Sequence, residues 1–267
     1  MSNREVVDWD LGTKNLRIER EGPIAWCIID RPNARNAFTP AMYFGIKQAV
    51  RRVNSDKDYR ALIITGSGDV FAPGGDLGGR YEEGDRHVPQ GLTYESMPFL
   101  AVRESQAPVI SAVNGICQAG GLLIAMMSDI AVVSERATFR IPELLRGIID
   151  ATYAAVLPIH VGMAQARDLL LSARKIDAAE AYRIGLVSRI CNHEDLEAEA
   201  RKAAIEVLQT APECRAHVKR MLNQQYAAID FETMFVSLMS PNSEAREGMN
   251  AFMEKRQPKW IPSGLPD

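Results

Sequence analysis

The sequence predicts an α/β fold that passes into a helical C-terminal third. Short apolar, β-branched runs alternate with helical patterns through the first half of the chain. Beyond about residue 150 helical patterns follow one another, with one strand-like interruption at residues 186–190. The 267 residues, 46% of them hydrophobic, can bury a large core. We therefore predict a core over residues 1–195 and a C-terminal helical region over residues 196–267.

The N-terminal half supplies the predicted sheet. Glu21-Gly22-Pro23 lies between two strand-like runs, which indicates a β-hairpin. Thr39 followed by Pro40 is typical of a helix start, and apolar residues recur at helical spacing as far as residue 54. The predicted strands are 16–20, 24–30, 61–65, 109–113 and 130–133, the predicted helices are 40–54, 93–104 and 120–127, and the glycine- and proline-rich residues 66–91 are predicted to form a functional loop.

The C-terminal third supplies helices. Its helical patterns cover residues 164–171, 178–184, 196–208, 214–227 and 244–255. Some of them carry apolar faces that one small sheet domain would not fully cover, and these faces include Met234, Phe235, Leu238 and Met239. We therefore expect this region to pack protomers together in an oligomer.

Composition argues against several classes of function. The chain has 31 basic and 34 acidic residues, a net charge of -3, which gives no broad electrostatic reason to bind nucleic acid or an anionic membrane. Its four cysteines form no CxxC pair and its four histidines have no ligand spacing, so we predict no metal site. The first ten residues include charged side chains and no apolar stretch, and no run in the sequence approaches the length of a membrane span, so we expect a cytoplasmic protein.

Two glycine-rich segments are candidates for chemistry. Residues 71–77, FAPGGDL, follow a predicted strand, and Ala119-Gly120-Gly121 opens an apolar helix. A diglycine at a helix start leaves N–H groups free, and with the helix dipole these groups favour a developing negative charge. A surface turn and the close packing of a buried helix would explain the two segments equally well when each is taken alone.

Taken together, these segments resemble the crotonase (enoyl-CoA hydratase/isomerase) superfamily from about residue 16 to residue 260. The resemblance rests, in chain order, on IDRPNARNAF, FAPGGDL, PVISAVNGICQAGGLLIAMMSDIAVVSERATF, SARKIDAAEAYRIGLVSRI and EGMNAFMEKRQPKW. It implies a spiral of ββα units with a C-terminal helical oligomerisation region, assembled as a homotrimer or a dimer of trimers. It also implies an acyl-CoA thioester as substrate, so that coenzyme A is part of the substrate and no separate cofactor is expected.

The resemblance also implies residue roles. Gly75 and Gly120 would donate their N–H groups to the thioester oxygen as it gains charge, which is the role of an oxyanion hole. Ala72 and Gly74 would line the adenine pocket through their backbone. Two residues of the closing helix, Phe252 and Lys255, would reach the nucleotide end of coenzyme A in a neighbouring subunit.

The acid/base residues are where the chain departs from the family's hydratases. Those enzymes resemble one another in carrying two glutamates, and here the first position holds Leu123 whereas the second holds Glu143 after Pro142. One carboxylate is sufficient to move a proton from C2 to C4, so the sequence favours double-bond isomerisation. Asp150 stands where some family members place a pocket carboxylate, and it is equally suited to be the N-cap of a helix.

Several alternatives stay open at this point. With Asp150 as a second acid/base group, the chain could be a hydratase, a dienoyl isomerase, a ring-forming enzyme or a C–C hydrolase. From another class, it could be a non-catalytic acyl-CoA binder or an RNA-binding relative, although the net charge of -3 weakens the last reading.

Overall fold

The computed structural model describes residues 4–78, 81–88, 96–226, 240 and 243–261. The chain divides into two compact units, the first formed by Met1–Arg140 with Lys175–Gln225 and the second by Ile141–Arg174 with Tyr226–Asp267. These boundaries differ from the expected division into 1–195 and 196–267. The oligomerisation role of the C-terminal region stays a prediction.

A seven-stranded sheet organises the first unit. Its strands are β1 Glu5–Val7, β2 Leu16–Glu21, β3 Ile24–Ile29, β4 Ala61–Gly66, β6 Val109–Val113, β8 Ile130–Ser134 and β11 Arg189–Cys191, in the spatial order β1-β2-β3-β4-β6-β8-β11. The strands from β3 to β11 pair in parallel, whereas β1, β2 and β3 pair antiparallel. The predicted hairpin and the predicted α/β class are therefore confirmed. Strands β3, β4 and β6 are buried along their length apart from the half-buried Gly66, as their unbroken apolar runs predict.

A second sheet of four short strands was not predicted. It consists of β5 Val70–Ala72, β7 Ile116–Gln118, β9 Thr138–Arg140 and β10 Ile176–Asp177, in the order β10-β9-β7-β5. Strands of two or three residues are too short to show a period of two, and β5 lies inside the segment expected to be loop. Because β5 and β7 are parallel, their carboxyl ends bring the residues after Ala72 and after Gln118 to one edge.

The helices of the first unit pack on this framework. They are α1 Pro40–Ser55, α2 Phe99–Arg103, α3 Gly120–Met127, α5 Ala178–Arg183, α6 Leu196–Leu208 and α7 Pro212–Asn223. Helix α2 is shorter than the helix expected over 93–104, because Pro98 stands at its N-cap, and residues 93–95 lie outside the described part. Helix α6 joins the core of the large sheet, where Ala200, Ala203 and Ala204 are fully buried.

The second unit contains a 3-10 turn at Glu143–Arg146, the long helix α4 Ala151–Ser172 and the helix α8 Glu244–Met253. Helix α4 begins well before the predicted residue 164 and is kinked at Gly162, where φ is 75° and ψ is 158°. The apolar residues 234, 235, 238 and 239 lie outside the described residues. Over the part of the chain that is described, no helix is both long enough and apolar enough to cross a membrane.

Candidate functional site

The backbone around Gly75 is fixed by its hydrogen bonds to Phe38. The N–H of Phe38 donates to the carbonyl of Gly74 (2.9 Å), and the N–H of Asp76 donates to the carbonyl of Phe38 (2.8 Å). Phe38 and Gly75 therefore form an isolated parallel bridge. Because backbone groups alternate in direction along an extended segment, the N–H of Gly75 points away from Phe38.

The start of α3 has a strained backbone. Ala119, its N-cap, has φ 48° and ψ −129°, a conformation that residues with a side chain rarely adopt. Its own N–H donates to the carbonyl of Arg140 (3.3 Å). Gly120 follows as the first helical residue, so its N–H is one of those at a helix start that have no partner within the helix. The positive end of the helix dipole lies at the same place.

The two glycine segments are in direct contact. A Cβ on Gly74, whose φ is +107°, would stand 2.5 Å from the Cβ of Ala119. A Cβ on Gly121 would stand 2.8 Å from the Cβ of Ala72. Side chains at either glycine would force the segments apart, which gives the glycines a packing role as well. The fold thus brings together the two segments that the sequence singled out.

The N–H groups of Gly75 and Gly120 are available to a ligand. Among the residues that the structure describes, neither group has a hydrogen-bond acceptor. Gly120 is buried, and because buried N–H groups are normally paired, its unpaired N–H indicates a place for an acceptor oxygen. Gly75 is exposed, so its N–H is accessible to a ligand. This pair can stabilise an oxygen that acquires negative charge.

A residue that the sequence did not single out, Tyr43, lies against both glycines. A Cβ on Gly75 would stand 3.5 Å from its hydroxyl oxygen, and a Cβ on Gly120 would overlap that oxygen. Tyr43 follows Met42 on α1 but falls off the apolar stripe by which that helix was predicted. The contact joins residues far apart in the chain, so no sequence spacing could have revealed it.

The loop after Gly75 is anchored by a buried arginine, Arg31. Its guanidinium group donates to Asp76 (3.0 Å), to Glu82 (2.5 Å) and to the carbonyl of Ala37 (2.8 Å). The bond from Arg31 holds the pKa of Glu82 below its usual value. Because Asp76 directly follows Gly75, this network also fixes the candidate N–H donor. The arginine lies in the IDRPNARNAF segment, to which the sequence gave no residue-level role.

In the second unit, Glu143 is a buried carboxyl group. It opens the 3-10 turn after Pro142, and its Oε2 atom has no hydrogen-bond partner among the described residues. Burial and, to a smaller extent, the nearby charge of Asp150 raise its pKa from 4.5 to about 8, against the opposing charge of Arg146. A carboxyl group whose pKa is close to neutral can both accept and release a proton at physiological pH.

Asp150 is the N-cap of α4. Its Oδ1 atom accepts a hydrogen bond from the N–H of Tyr153 (3.0 Å), which is the capping contact considered for it from the sequence. Burial raises its pKa, although the N–H groups of Tyr153 and Thr152 oppose the shift. Asp150 also acts on Glu143, because its negative charge raises the pKa of that carboxyl group.

Comparisons with known proteins agree with one another. The model of the family described as "Enoyl-CoA hydratase/isomerase" matches residues 19–262. The chain belongs to this family. "Crotonyl-CoA hydratase" of Syntrophomonas wolfei is 33% identical over 255 residues, which cover 93% of this chain and 98% of that protein. "Probable enoyl-CoA hydratase, mitochondrial" of Dictyostelium discoideum is 32% identical over 249 residues, which cover 91% and 89%.

A solved structure supports the same assignment. An enoyl-CoA hydratase/isomerase from Pseudoalteromonas atlantica T6c superposes with a TM-score of 0.79 at 31% identity, over 92% of this chain and 99% of that chain. The fold expected from the resemblance, an α/β fold of the crotonase type, is thereby confirmed. The protein is thus an acyl-CoA enzyme of the enoyl-CoA hydratase/isomerase family.

Residue 123 is the position at which this chain has a leucine where the family's hydratases resemble one another in having a glutamate. Leu123 lies on α3, one turn after Gly120, and is 3% exposed. Its N–H donates to the carbonyl of Ala119 (3.0 Å), so the residue belongs to the first turn of the helix. A leucine side chain can neither accept nor donate a proton, and no acid/base chemistry can come from this position.

The residues expected to bind coenzyme A are found in both units. Ala72 is buried at the end of β5 and precedes Gly74 by two residues. Phe252 is 57% exposed on α8, and the guanidinium of Arg146 lies 5.1 Å from its ring centroid. Lys255 is exposed just after that helix. Their contacts with a nucleotide stay predictions, as does the contribution of a neighbouring subunit. Over the described ranges, no cluster of three or more His, Cys, Asp or Glu side chains could hold a metal ion.

Proposed function

We propose that this chain isomerises the double bond of an enoyl-CoA thioester, from the 3,4 to the 2,3 position, with Glu143 as the proton carrier. The observation that carries the proposal is the state of Glu143: it is buried, its Oε2 is unpartnered within the described residues, and its pKa is raised to about 8. Leu123 stands at the position where the family's hydratases resemble one another in having a second glutamate.

The proposed reaction has two proton transfers. The Glu143 carboxylate takes a proton from C2, and the electron pair of that C–H bond moves into the thioester, whose oxygen becomes an enolate oxygen. The N–H groups of Gly75 and Gly120 donate hydrogen bonds to this oxygen, each worth about 3 kcal/mol of the barrier. The enolate is conjugated with the 3,4 double bond, so its electron pair can be delivered to C4. The Glu143 carboxyl group donates the proton to C4, which leaves the double bond between C2 and C3. No proton is gained or lost in the complete cycle.

The raised pKa of Glu143 suits this role. Between the two steps the carboxyl group must hold the proton without losing it to solvent, and burial together with the coupled Asp150 favours the protonated form. Before the first step it must be ionised, which a pKa near neutrality also permits. A carboxyl group with the ordinary value of 4.5 would be a weaker acid/base catalyst at neutral pH.

A second candidate function is hydration or another two-carboxylate reaction. The observation in its favour is the electrostatic coupling of Glu143 and Asp150, which gives the unit two interacting acid/base groups. Relatives named as hydratases also support it. In this reading Asp150 would replace the carboxylate missing at Leu123, and the enolate would be formed by water addition or C–C cleavage.

The experiment compares initial rates on 3-hexenoyl-CoA and crotonyl-CoA for the unmodified enzyme, Glu143→Gln and Asp150→Asn. We expect isomerisation to exceed hydration by about 100-fold or more, because one member of an acid/base pair is absent. Glu143→Gln should abolish isomerisation, whereas Asp150→Asn should retain it. Efficient hydration that is lost in Asp150→Asn would favour the two-carboxylate reading. Tight binding of both thioesters without turnover would favour a non-catalytic acyl-CoA binder.

A further inference from the structure

The hydroxyl oxygen of Tyr43 lies where a side chain on Gly120 would begin, and it lies near the corresponding position on Gly75. A Cβ built on Gly120 would overlap the phenol oxygen and stand 3.0 Å from Cζ and 3.1 Å from Cε1. A Cβ on Gly75 would stand 3.5 Å from the same oxygen. Tyr43 itself is 4% exposed. One phenol oxygen therefore lies next to the side-chain positions of both glycines.

The first turn of α1 holds the Tyr43 backbone. Thr39 is the N-cap, and its Oγ1 accepts from the N–H of Met42 (3.2 Å), while its carbonyl accepts from the N–H of Tyr43 (3.2 Å). Pro40 fixes the first helical φ angle. Because capping and proline both restrict this turn, the backbone from which the Tyr43 side chain projects is held in place.

The Tyr43 ring is held by two aromatic neighbours. Its centroid lies 4.6 Å from that of Phe38 and 6.0 Å from that of Phe99, in tilted and edge-to-face arrangements. Phe38 is also the residue whose backbone bonds to Gly74 and Asp76. The Tyr43 ring and the backbone around Gly75 are thus both held by contacts with Phe38.

We propose that Tyr43 is a catalytic residue whose hydroxyl donates a third hydrogen bond to the thioester oxygen; this rests on the proposed function, in which Gly75 and Gly120 bind that oxygen. A phenol is a stronger hydrogen-bond donor than water, because its hydroxyl is the more acidic of the two. Three donors around one oxygen match the lone pairs and charge of an enolate better than two. The hydroxyl also explains why residue 120 must lack a side chain.

The test isolates the hydroxyl from the ring. Tyr43→Phe removes the hydroxyl and keeps the ring packed against Phe38 and Phe99. Tyr59→Phe makes the same chemical change at another buried tyrosine, whose ring centroid lies 4.9 Å from that of Trp9. We expect Tyr43→Phe to lower kcat on the enoyl-CoA substrate about 100-fold, the usual effect of losing one oxyanion donor, with little change in thioester affinity. Tyr59→Phe should retain the kcat of the unmodified enzyme.

A spectroscopic signature separates direct contact from a structural role. The probe is 4-(dimethylamino)cinnamoyl-CoA, whose absorption moves to longer wavelength when its carbonyl oxygen accepts strong hydrogen bonds. We expect the full shift in the unmodified enzyme, in Tyr59→Phe and in Glu143→Gln, and a smaller shift in Tyr43→Phe. Gly120→Ala keeps the N–H but displaces the phenol, so it should also reduce the shift.

The outcomes distinguish this inference from the proposed function. A full shift and full kcat in folded Tyr43→Phe would overturn the role of Tyr43 and leave the two-donor site in place. The absence of any probe binding or shift in the unmodified enzyme would overturn both. In Tyr43→Phe the shift could be lost while the ratio of the rates on crotonyl-CoA and 3-hexenoyl-CoA stays that of the unmodified enzyme. That result would support the hydrogen bond from Tyr43, whichever of the two reactions the enzyme catalyses.

Discussion

At the scale of single residues, the glycines were readable from the sequence and their neighbours were not. Gly75 and Gly120 stand in short motifs, because a close backbone approach and a helix start both need glycine. Tyr43 and Arg31 reach the same place through contacts between distant segments. Such contacts depend on the register of two sheets, which a single sequence does not display.

The protonation of Glu143 should be visible in the stability of the fold. Its pKa is about 8 in the folded state against 4.5 ordinarily, so the folded state binds the proton more tightly than the unfolded state does. The free energy of unfolding should therefore fall as pH rises through the window from about 4.5 to about 8. In Glu143→Gln this fall in the free energy of unfolding is absent, because a glutamine side chain does not ionise. We expect the variant to become more stable than the unmodified enzyme, by a few kcal/mol at pH 8 and above.

Urea denaturation of both proteins at a series of pH values measures this difference. The exposed Glu213 provides a matched control, because Glu213→Gln makes the same chemical change on the surface of α7. A constant difference between Glu143→Gln and the unmodified enzyme from pH 5 to pH 9 would show that the carboxyl group is not protonated in the fold.

The strained backbone of Ala119 predicts an unusual response to glycine. At φ 48° and ψ −129° a side chain costs about 1 to 3 kcal/mol, so Ala119→Gly should relieve strain. Because glycine also loses about 0.5 to 1 kcal/mol through the entropy of the unfolded chain, we expect the free energy of unfolding to stay unchanged or to rise by about 1 kcal/mol. Ala216→Gly, in the middle of α7, should instead lose about 1 kcal/mol. Chemical denaturation measures the free energy of unfolding of both variants. If Ala119→Gly and Ala216→Gly lost the same amount, the backbone of Ala119 would not be strained.

At the scale of elements, length decided what the sequence could reveal. Strands β3, β4 and β6 and helices α3 and α6 are long apolar or amphipathic segments, and the structure places them close to the predicted bounds. The second sheet was missed because its strands have at most three residues. That sheet positions the candidate donors, so the part of the fold that matters most for the site was the least visible.

Helix α6 offers a test of element packing. Ala203 is fully buried against the large sheet, in a cluster that contains Trp26 and Ile63. Ala203→Leu adds volume at a close-packed contact and should destabilise the protein by about 1 to 3 kcal/mol. Lys202→Leu, on the exposed face of the same helix, should change stability by less than about 0.5 kcal/mol. Thermal denaturation that ranks the two variants in the opposite order would contradict this packing.

At the scale of the whole molecule, the predicted assembly is a homotrimer or a dimer of trimers. Its support in the described residues is the exposed apolar surface of Phe252 and Met253 on α8 and of Met221 and Leu222 on α7. Light scattering at micromolar concentration should give three or six times the 29.5 kDa of one chain. Phe252→Asp with Met253→Asp should lower this mass. A monomeric unmodified enzyme would contradict the assembly.

The measurement that tests the central claim most directly follows one proton. With 3-hexenoyl-CoA carrying deuterium at C2, a single carboxyl group that takes the label from C2 and returns it to C4 should leave deuterium at C4 in a measurable fraction of the 2-hexenoyl-CoA formed in ordinary water. Mass spectrometry and NMR locate the label, and Glu143→Gln should form no product. We expect label at C4 because the Glu143 carboxyl group is buried and its pKa is about 8. Product without any label at C4, or product formed equally well by Glu143→Gln, would contradict the account.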